Sequence, residues 1–178
     1  MGDRRPLTDL MSWNADATRM PYRMHSEYLR HIFFNNELAA GRYLVDGRPI
    51  ALTDIRAPIF AVGTEWDHVA PWRSTYKIHL LSDTDVTFLL TSGGHNAGIV
   101  SEPGASQHTY RIKTKGRDEQ YTDPDSWLAQ AQTKSGSWWP EWVAWLEQYS
   151  GTPSPPPNMG LPGKSQLDSA PGTYVLQP

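Results

Sequence analysis

The sequence lacks cysteine and any long apolar run, and these two absences exclude several classes of protein. Without cysteine the chain can form neither a disulfide nor a thiolate metal site, and it holds no thiol nucleophile. The most apolar uncharged segment, residues 86–101, is interrupted by the polar residues 92–96, so we expect no transmembrane segment. Arg4 and Arg5 precede no apolar run, which predicts no signal peptide and a cytoplasmic protein.

An excess of charge of one sign is also missing. The chain has 16 Lys and Arg against 19 Asp and Glu, a formal net charge of −3. This balance is not typical of a surface that binds nucleic acid or anionic lipid, so we expect no nucleic-acid partner. With 178 residues, 38% of them hydrophobic, the chain can bury one core or part of a larger one.

The composition of the chain changes near residue 151. Seven of the 15 prolines lie at or beyond Pro153, and the run at residues 153–157 favours extended polyproline geometry. We therefore divide the chain into a folded part, residues 1–150, and a proline-rich tail, residues 151–178. Within the tail, residues 173–176 form either a short docking strand or a solvated end.

Hydrophobic spacing and turn residues predict the helices and one hairpin. Apolar positions at helical spacing predict a helix over residues 22–40 that ends at Gly41. The Asp46–Gly47 pair accepts positive φ and predicts the turn of a hairpin. The arms of this hairpin are residues 43–45 and the run around 49–50. Three further helices are predicted, at 72–81, from 123–124 onward, and at about 138–149.

Two short apolar runs, residues 59–63 and 86–90, are typical of strands that are buried on both faces of a parallel sheet. The predicted helix at 72–81 lies between them, so strand, helix and strand together form a βαβ unit. The sequence therefore predicts the α/β fold class, with late parallel strands flanked by helices.

Two residues with catalytic chemistry follow these strands. Asp67 lies four residues beyond Gly63, and His95 lies five beyond Leu90. Because parallel strands release their loops at the same edge of a sheet, we expect these side chains to meet. A carboxylate can hold the Nδ1 proton of the imidazole and leave Nε2 as a base. The alternative is that Asp67 only caps a helix and His95 is a surface residue.

The sequence contains no recognisable nucleophile that could act together with Asp67 and His95. It has neither cysteine nor a G-x-S-x-G motif, so a nucleophile elbow would have to precede residue 1. The other histidines, such as His68, His79 and His108, share no spacing typical of metal ligands, and there is no H-E-x-x-H motif. We predict neither a metal nor a cofactor.

Several motifs together resemble polyhydroxyalkanoate synthases, particularly those of class I. They occur in the family order over nearly the whole chain, and they match the C-terminal third of that enzyme; residues 171–175 resemble its end. The motifs are WNADAT at 13–18, YLRH at 28–31 with NEL at 36–38, DHVAPW at 67–72, SGGHNAG at 92–98 and GSWWP at 136–140.

The resemblance implies the C-terminal portion of an α/β-hydrolase fold, truncated before the nucleophile elbow, with residues 12–40 belonging to a helical cap. It also implies a Cys-His-Asp triad that polymerises 3-hydroxyacyl-CoA into polyester with release of CoA. His95 matches the general base, and Asp67 matches the acid that either orients the histidine or activates the incoming 3-hydroxyl. Because the cysteine has no counterpart here, we expect the isolated chain to be inactive.

The implied partners are the 3-hydroxyacyl-CoA substrate, the growing polyester chain, and a second copy or the missing N-terminal part, at the surface of polyester granules. One alternative is a non-catalytic module that associates with a synthase or a granule. Another is a fragment of an esterase or depolymerase, against which the DHVAPW and GSWWP motifs speak. The aromatic face of the last helix is interpreted as core or as a surface patch; its residues are Trp138, Trp139, Trp142, Trp145 and Leu146.

Overall fold

The computed structural model describes residues 8–15 and 19–158, together with positions 160, 163, 169, 172 and 173. These residues belong to two compact units, one formed by residues 34–152 and one by the described parts of residues 1–33 and 153–178. Residues 151–158 are exposed and have no regular secondary structure, as the proline-rich composition predicts. Most of the predicted docking strand at 173–176 lies outside the described residues.

The long helix predicted at 22–40 is shorter in the structure. Helix α1 spans Asp9–Ala15, α2 spans Tyr22–Glu27, and α2 continues as a π-helical segment, Tyr28–Phe34. The helix ends there because Asn36 adopts a positive φ of 48°, a conformation that asparagine tolerates better than most residues. The predicted extension to residue 40 is therefore wrong, and residues 37–41 form a turn instead.

The predicted hairpin is confirmed. Strand β1, Tyr43–Val45, pairs antiparallel with β2, Arg48–Ile50. Asp46 and Gly47 both have positive φ, 51° and 75°, which is the geometry of the tight turn that matches strand twist. A short 3₁₀ helix, Leu52–Asp54, follows and leads into the main sheet.

The main sheet contains the two predicted parallel strands. Strand β3, Ile59–Thr64, pairs in parallel with β4, Val86–Thr91, so that Gly63 lies opposite Leu90. The connection predicted as one helix is two short helices, α3, Trp72–Thr75, and α4, Ile78–Leu81. They are separate because Lys77 N–H donates to the carbonyl of Ser74, three residues back, in place of the α-helical partner.

Two further strands were not predicted, and they make the sheet mixed. Strand β5, Thr109–Lys115, pairs antiparallel with β4, and β6, Thr133–Ser135, pairs antiparallel with β5. The order is therefore β3-β4-β5-β6. In β5 the apolar Tyr110 and Ile112 alternate with the basic Arg111 and Lys113, a pattern typical of a half-buried strand but without the unbroken apolar run that indicated β3 and β4.

Strand β4 lies at the centre of the core. All six of its residues are buried, and successive side chains point to opposite faces, which accounts for two apolar clusters. One cluster contains Trp72, Tyr76, Phe88, Leu90, Trp127 and Ala131, and the other contains Leu89, Tyr110 and Trp138. The prediction of a strand buried on both faces is confirmed for β4. It is wrong for most of β3, whose residues 59–62 are only half-buried because, within the described part of the chain, β3 pairs with β4 on one side alone.

Two helices complete this unit. Helix α5, Pro124–Gln130, begins as predicted: Asp123 Oδ1 accepts the amide protons of Asp125 and Ser126, and a proline occupies the first turn. Helix α6, Trp139–Tyr149, matches the predicted last helix to within one residue. Among the described residues, the helices are all too short or too polar to cross a bilayer.

Candidate active site

The loops after β3 and β4 are bonded to each other at the carboxyl edge of the sheet. Glu65 N–H donates to the carbonyl of Thr91 at 2.9 Å, and Trp66 N–H donates to that of Gly93 at 3.0 Å. These bonds extend the parallel pairing one step past the strand ends. They bring together Asp67 and His95, whose Oδ2 and Nδ1 atoms are 2.9 Å apart.

Both carboxylate oxygens of Asp67 accept hydrogen bonds. Oδ1 accepts the backbone N–H groups of Val69 and Ala70, both at 2.8 Å. Oδ2 accepts the Thr64 hydroxyl at 3.3 Å as well as His95 Nδ1. The bond from Ala70, followed by those from His95 and Val69, outweighs partial desolvation and lowers the pKa of Asp67 to about 2. Asp67 is therefore ionised at neutral pH.

The ionised carboxylate determines which ring nitrogen of His95 carries the proton. A carboxylate only accepts, so Nδ1 must be the donor in the contact with Asp67. In neutral His95 the lone pair is then on Nε2, the form of imidazole that takes a proton in general-base catalysis. The Asp67 side chain is only 8% exposed whereas that of His95 is 45% exposed, so the pair is anchored on one side and open on the other.

Glycines allow the loop that carries His95 to turn tightly. Gly93 has a φ of +104°, and a Cβ there would lie 2.9 Å from Gly98 Cα. A Cβ on Gly98 would lie 2.7 Å from Thr64 Cγ2, closer than real side chains approach. Gly98 N–H donates to the carbonyl of Gly94 at 2.9 Å and closes the turn around His95. These contacts leave no room for a side chain at Gly93 or Gly98.

The GSWWP motif at 136–140 contacts this same loop. The Trp138 indole N–H donates to the carbonyl of Gly98 at 3.2 Å, and that of Trp139 donates to the carbonyl of Ile99 at 2.9 Å. Trp138 is buried, whereas Trp142 and Leu146 are exposed, so the predicted aromatic face divides between core and surface. Sequence reasoning missed the hydrogen bonds because they join residues about 40 positions apart.

An ion pair beside the site was also missed. Glu65, two residues before Asp67, accepts a hydrogen bond from Arg111 of β5 at 2.8 Å, and both side chains are half-buried. Only the unpredicted antiparallel strand β5 brings Arg111 to this edge. The pair ties the start of the Asp67 loop to the third strand of the sheet.

The other histidines lie away from the pair. His79 is buried in the core against the Tyr76 ring, with ring centroids 4.4 Å apart. Burial, and then the nearby charge of Lys115, lowers the pKa of His79 to about 4. His68 is exposed and His108 is half-buried. Within the part of the chain that the structure describes, no cluster of His, Asp and Glu is arranged to hold a metal ion.

The fold and the site define a mixed α/β protein with an ionised carboxylate and a histidine base at the carboxyl ends of two parallel strands. No protein-family model matches the chain. Curated relatives do match it. The chain is 38% identical over 167 residues to the poly(3-hydroxyalkanoate) polymerase subunit PhaC of Rhizobium meliloti, a match that covers 94% of this chain and 26% of the relative.

Two further relatives carry similar names. The PhaC subunit of Cupriavidus necator is 36% identical over 169 residues, 94% of this chain and 28% of its own. Poly(3-hydroxyalkanoate) polymerase 2 of Ectopseudomonas oleovorans is 34% identical over 177 residues, 99% and 31% respectively. The chain is thus homologous to part of the poly(3-hydroxyalkanoate) polymerases, and the resemblance to their C-terminal part is confirmed. It spans between a quarter and a third of the length of these relatives.

Proposed function

We propose that this chain is the part of a poly(3-hydroxyalkanoate) polymerase that supplies the histidine and the carboxylate of a Cys-His-Asp triad. Residues 1–150 form the C-terminal part of an α/β-hydrolase-type catalytic domain, residues 12–40 belong to its cap, and residues 151–178 form the tail. The names of the relatives support polyester synthesis. The observation that carries the proposal is the 2.9 Å contact between ionised Asp67 and His95 at the sheet edge.

The proposed chemistry requires a thiol next to Nε2 of His95, and residues 1–178 contain none. His95 takes the thiol proton, and the thiolate attacks the carbonyl carbon of 3-hydroxyacyl-CoA. The C–S bond to CoA breaks, and CoA leaves as a thiol after receiving the proton from the imidazolium. A 3-hydroxyl group then attacks the acyl-enzyme thioester while His95 again accepts the proton, which forms the ester and frees the cysteine.

The contacts of Asp67 favour one of the two roles left open by the sequence. Its oxygens already accept two backbone amides, the Thr64 hydroxyl and His95 Nδ1. A carboxylate so engaged is suited to hold an imidazolium, and its low pKa makes it a weak base toward a substrate hydroxyl. We therefore assign Asp67 the role of orienting and stabilising His95, while His95 activates both the thiol and the hydroxyl.

The proposed partners follow from the same chemistry: 3-hydroxyacyl-CoA, the growing polyester at a granule surface, and a second copy or the rest of the polymerase. The names of the relatives favour this function over an esterase or depolymerase. A non-catalytic module bound to a synthase or granule would not require the ionised carboxylate and its histidine partner to be built at a sheet edge.

The test compares the isolated chain with a chimaeric polymerase, in which this chain replaces the matching segment of the Rhizobium meliloti polymerase. We expect the chimaera to release CoA from 3-hydroxybutyryl-CoA in a thiol-detection assay, and the isolated chain to show only background. Turnover by the isolated chain that disappears in His95→Ala would contradict the proposal, because another residue would then be the nucleophile. A chimaera that folds and is inactive would also contradict it.

A further inference from the structure

We infer that Trp138, assisted by Ser137, is a positioning residue for His95: it holds the loop that carries the imidazole so that Nδ1 stays on Asp67. The catalytic consequence rests on the proposed function, whereas the contacts themselves do not. The relevant carbonyl groups belong to residues 98–101, directly after the turn that contains His95.

Three consecutive side chains bind this segment. The indole N–H of Trp138 donates to the carbonyl of Gly98 at 3.2 Å, and that of Trp139 donates to Ile99 at 2.9 Å. The Ser137 hydroxyl donates to the carbonyl of Ser101 and accepts the backbone N–H of Trp139 at 3.1 Å. The segment thus forms one hydrogen bond to each of these side chains, and the GSWWP motif holds it in place.

Trp138 is the most buried of the three. Its ring is 5% exposed, belongs to the apolar cluster of Leu89 and Tyr110, and stacks on Phe60 with centroids 6.4 Å apart. A ring packed in this way cannot turn without opening the core, so its N–H is fixed relative to β3 and β4. Hydrogen bonds from such groups determine the orientation of the residues they support.

Gly98 transmits this constraint to the catalytic pair by two routes. Its N–H closes the turn around His95 by donating to the carbonyl of Gly94. Its Cα packs so tightly on Thr64 that a Cβ would lie 2.7 Å from Cγ2, and the Thr64 hydroxyl donates to Asp67 Oδ2. Release of the Gly98 carbonyl therefore loosens the loop that bears His95 and the residue that supports Asp67.

The first experiment measures the tautomer of neutral His95 in the full 178-residue chain, by ¹⁵N–¹H correlation of labelled histidine. In the wild type we expect the proton on Nδ1, because ionised Asp67 can only accept. Trp138→Phe keeps an aromatic ring in the core but removes the N–H donor. We expect the ratio of Nδ1–H to Nε2–H at His95 to fall roughly tenfold, as the loss of one hydrogen bond would allow.

Matched variants separate positioning from packing. Trp145 contacts the same Phe60 ring, at 5.5 Å between centroids, and shows no hydrogen bond to residues 98–101 among the described contacts, so Trp145→Phe should leave the His95 tautomer unchanged. Asp67→Asn shows how far the tautomer ratio shifts when His95 loses its carboxylate partner altogether. Should Trp138→Phe fail to fold, Ser137→Ala removes a neighbouring bond without touching the aromatic core, and it should shift the ratio in the same direction by a smaller factor.

The second experiment measures CoA release by the chimaeric polymerase. Trp138→Phe should lower kcat about 10- to 100-fold, as is typical when a supporting group is lost, with KM changed by less than about twofold. An unchanged tautomer in Trp138→Phe, or an equal shift in Trp145→Phe, overturns the inference. A shifted tautomer without a change in kcat supports the positioning role and contradicts the proposed function, so the two failures are distinguishable.

Discussion

Two histidines of the same compact unit occupy opposite environments. His95 is 45% exposed and bonded to an ionised carboxylate, whereas His79 is 6% exposed and packs against the rings of Tyr76 and Phe88. Among the described residues, neither ring nitrogen of His79 has a hydrogen-bond partner. His95 is thus exposed and hydrogen-bonded, whereas His79 is buried and has no hydrogen bond to the described residues.

The difference shows that burial alone does not equip a histidine for proton transfer. Burial keeps His79 neutral and lowers its pKa to about 4, and no hydrogen bond from the described part of the chain holds its proton on one nitrogen. His95 has a fixed tautomer because Asp67 accepts from Nδ1, and its exposure leaves the ring accessible to a reacting group. The hydrogen bond to a carboxylate and the exposure of the ring, taken together, distinguish a candidate general base from a core histidine.

The largest expected effect would test this contrast directly. In the chimaeric polymerase, His95→Ala should lower the rate of CoA release by several orders of magnitude, on the order of 10⁴-fold, because the proposed general base is removed. His79→Ala, measured per folded molecule, should be mild. A loss with His79→Ala as severe as that with His95→Ala would show that the wrong histidine has been assigned.

A second substitution tests the partner rather than the base. Asp67→Asn retains an oxygen for the amides of Val69 and Ala70, but its NH₂ group facing His95 would favour the tautomer protonated on Nε2. We expect a loss of rate of about 10³- to 10⁴-fold, measured as kcat of the chimaera.

Asp123→Asn is the matched control for this substitution. Asp123 also accepts two backbone amides through Oδ1, at the start of α5, and its described contacts include no histidine. Its replacement by Asn should leave the rate within about twofold, because Asn is as good a helix cap as Asp. Equal losses in the two variants would show that Asp67 matters only for its loop.

The sequence predicted the parts of the site that follow from topology. Two apolar runs and the connection between them indicated a parallel pair, and the common direction of those strands brought Asp67 and His95 to one edge. The Asp46–Gly47 turn and the Asp123 cap were predictable for the same reason: a few adjacent residues determine each of them. The catalytic role of Asp67 and His95 stays a prediction.

The parts that were missed depend on residues far apart in the chain. Strand β5 contains basic residues in its polar positions, so its alternating pattern was weaker than the runs in β3 and β4. Without β5, neither the Glu65–Arg111 pair nor the position of residues 98–101 could be inferred. The hydrogen bond from Trp138 to Gly98 joins residues 40 positions apart. It depends on how the start of α6 packs against the sheet, and no local sequence pattern specifies that packing.

A smaller effect concerns stability in acid. The pKa of His79 is lowered from 6.5 to about 4, mainly by burial, so the unfolded chain binds a proton there at pH values where the folded chain does not. Stability from this source is complete above pH 6.5 and is lost as the pH falls toward 4, by at most about 1.4 kcal/mol per pH unit.

Urea unfolding of the 178-residue chain at pH 7 and pH 5 measures this loss, and His79→Phe should reduce the difference between the two. An equal difference in the variant would mean that the imidazole of His79 is accessible to protons in the folded state.

The smallest expected effect is a contribution of Asp67, the partner of His95, to stability at lower pH. The pKa of Asp67 is lowered from 3.8 to about 2, first by the bond from Ala70, so the folded state favours the ionised form. Its contribution is therefore present above pH 3.8 and is lost as the pH falls toward 2, below the range in which His79 titrates. Urea unfolding between pH 5 and pH 2.5 should show the wild type losing its advantage over Asp67→Asn only below about pH 4, since Asn cannot be protonated there. A loss of this advantage already between pH 5 and pH 4 would contradict the assignment, because a carboxylate with a lowered pKa cannot lose its contribution above its unfolded value of 3.8.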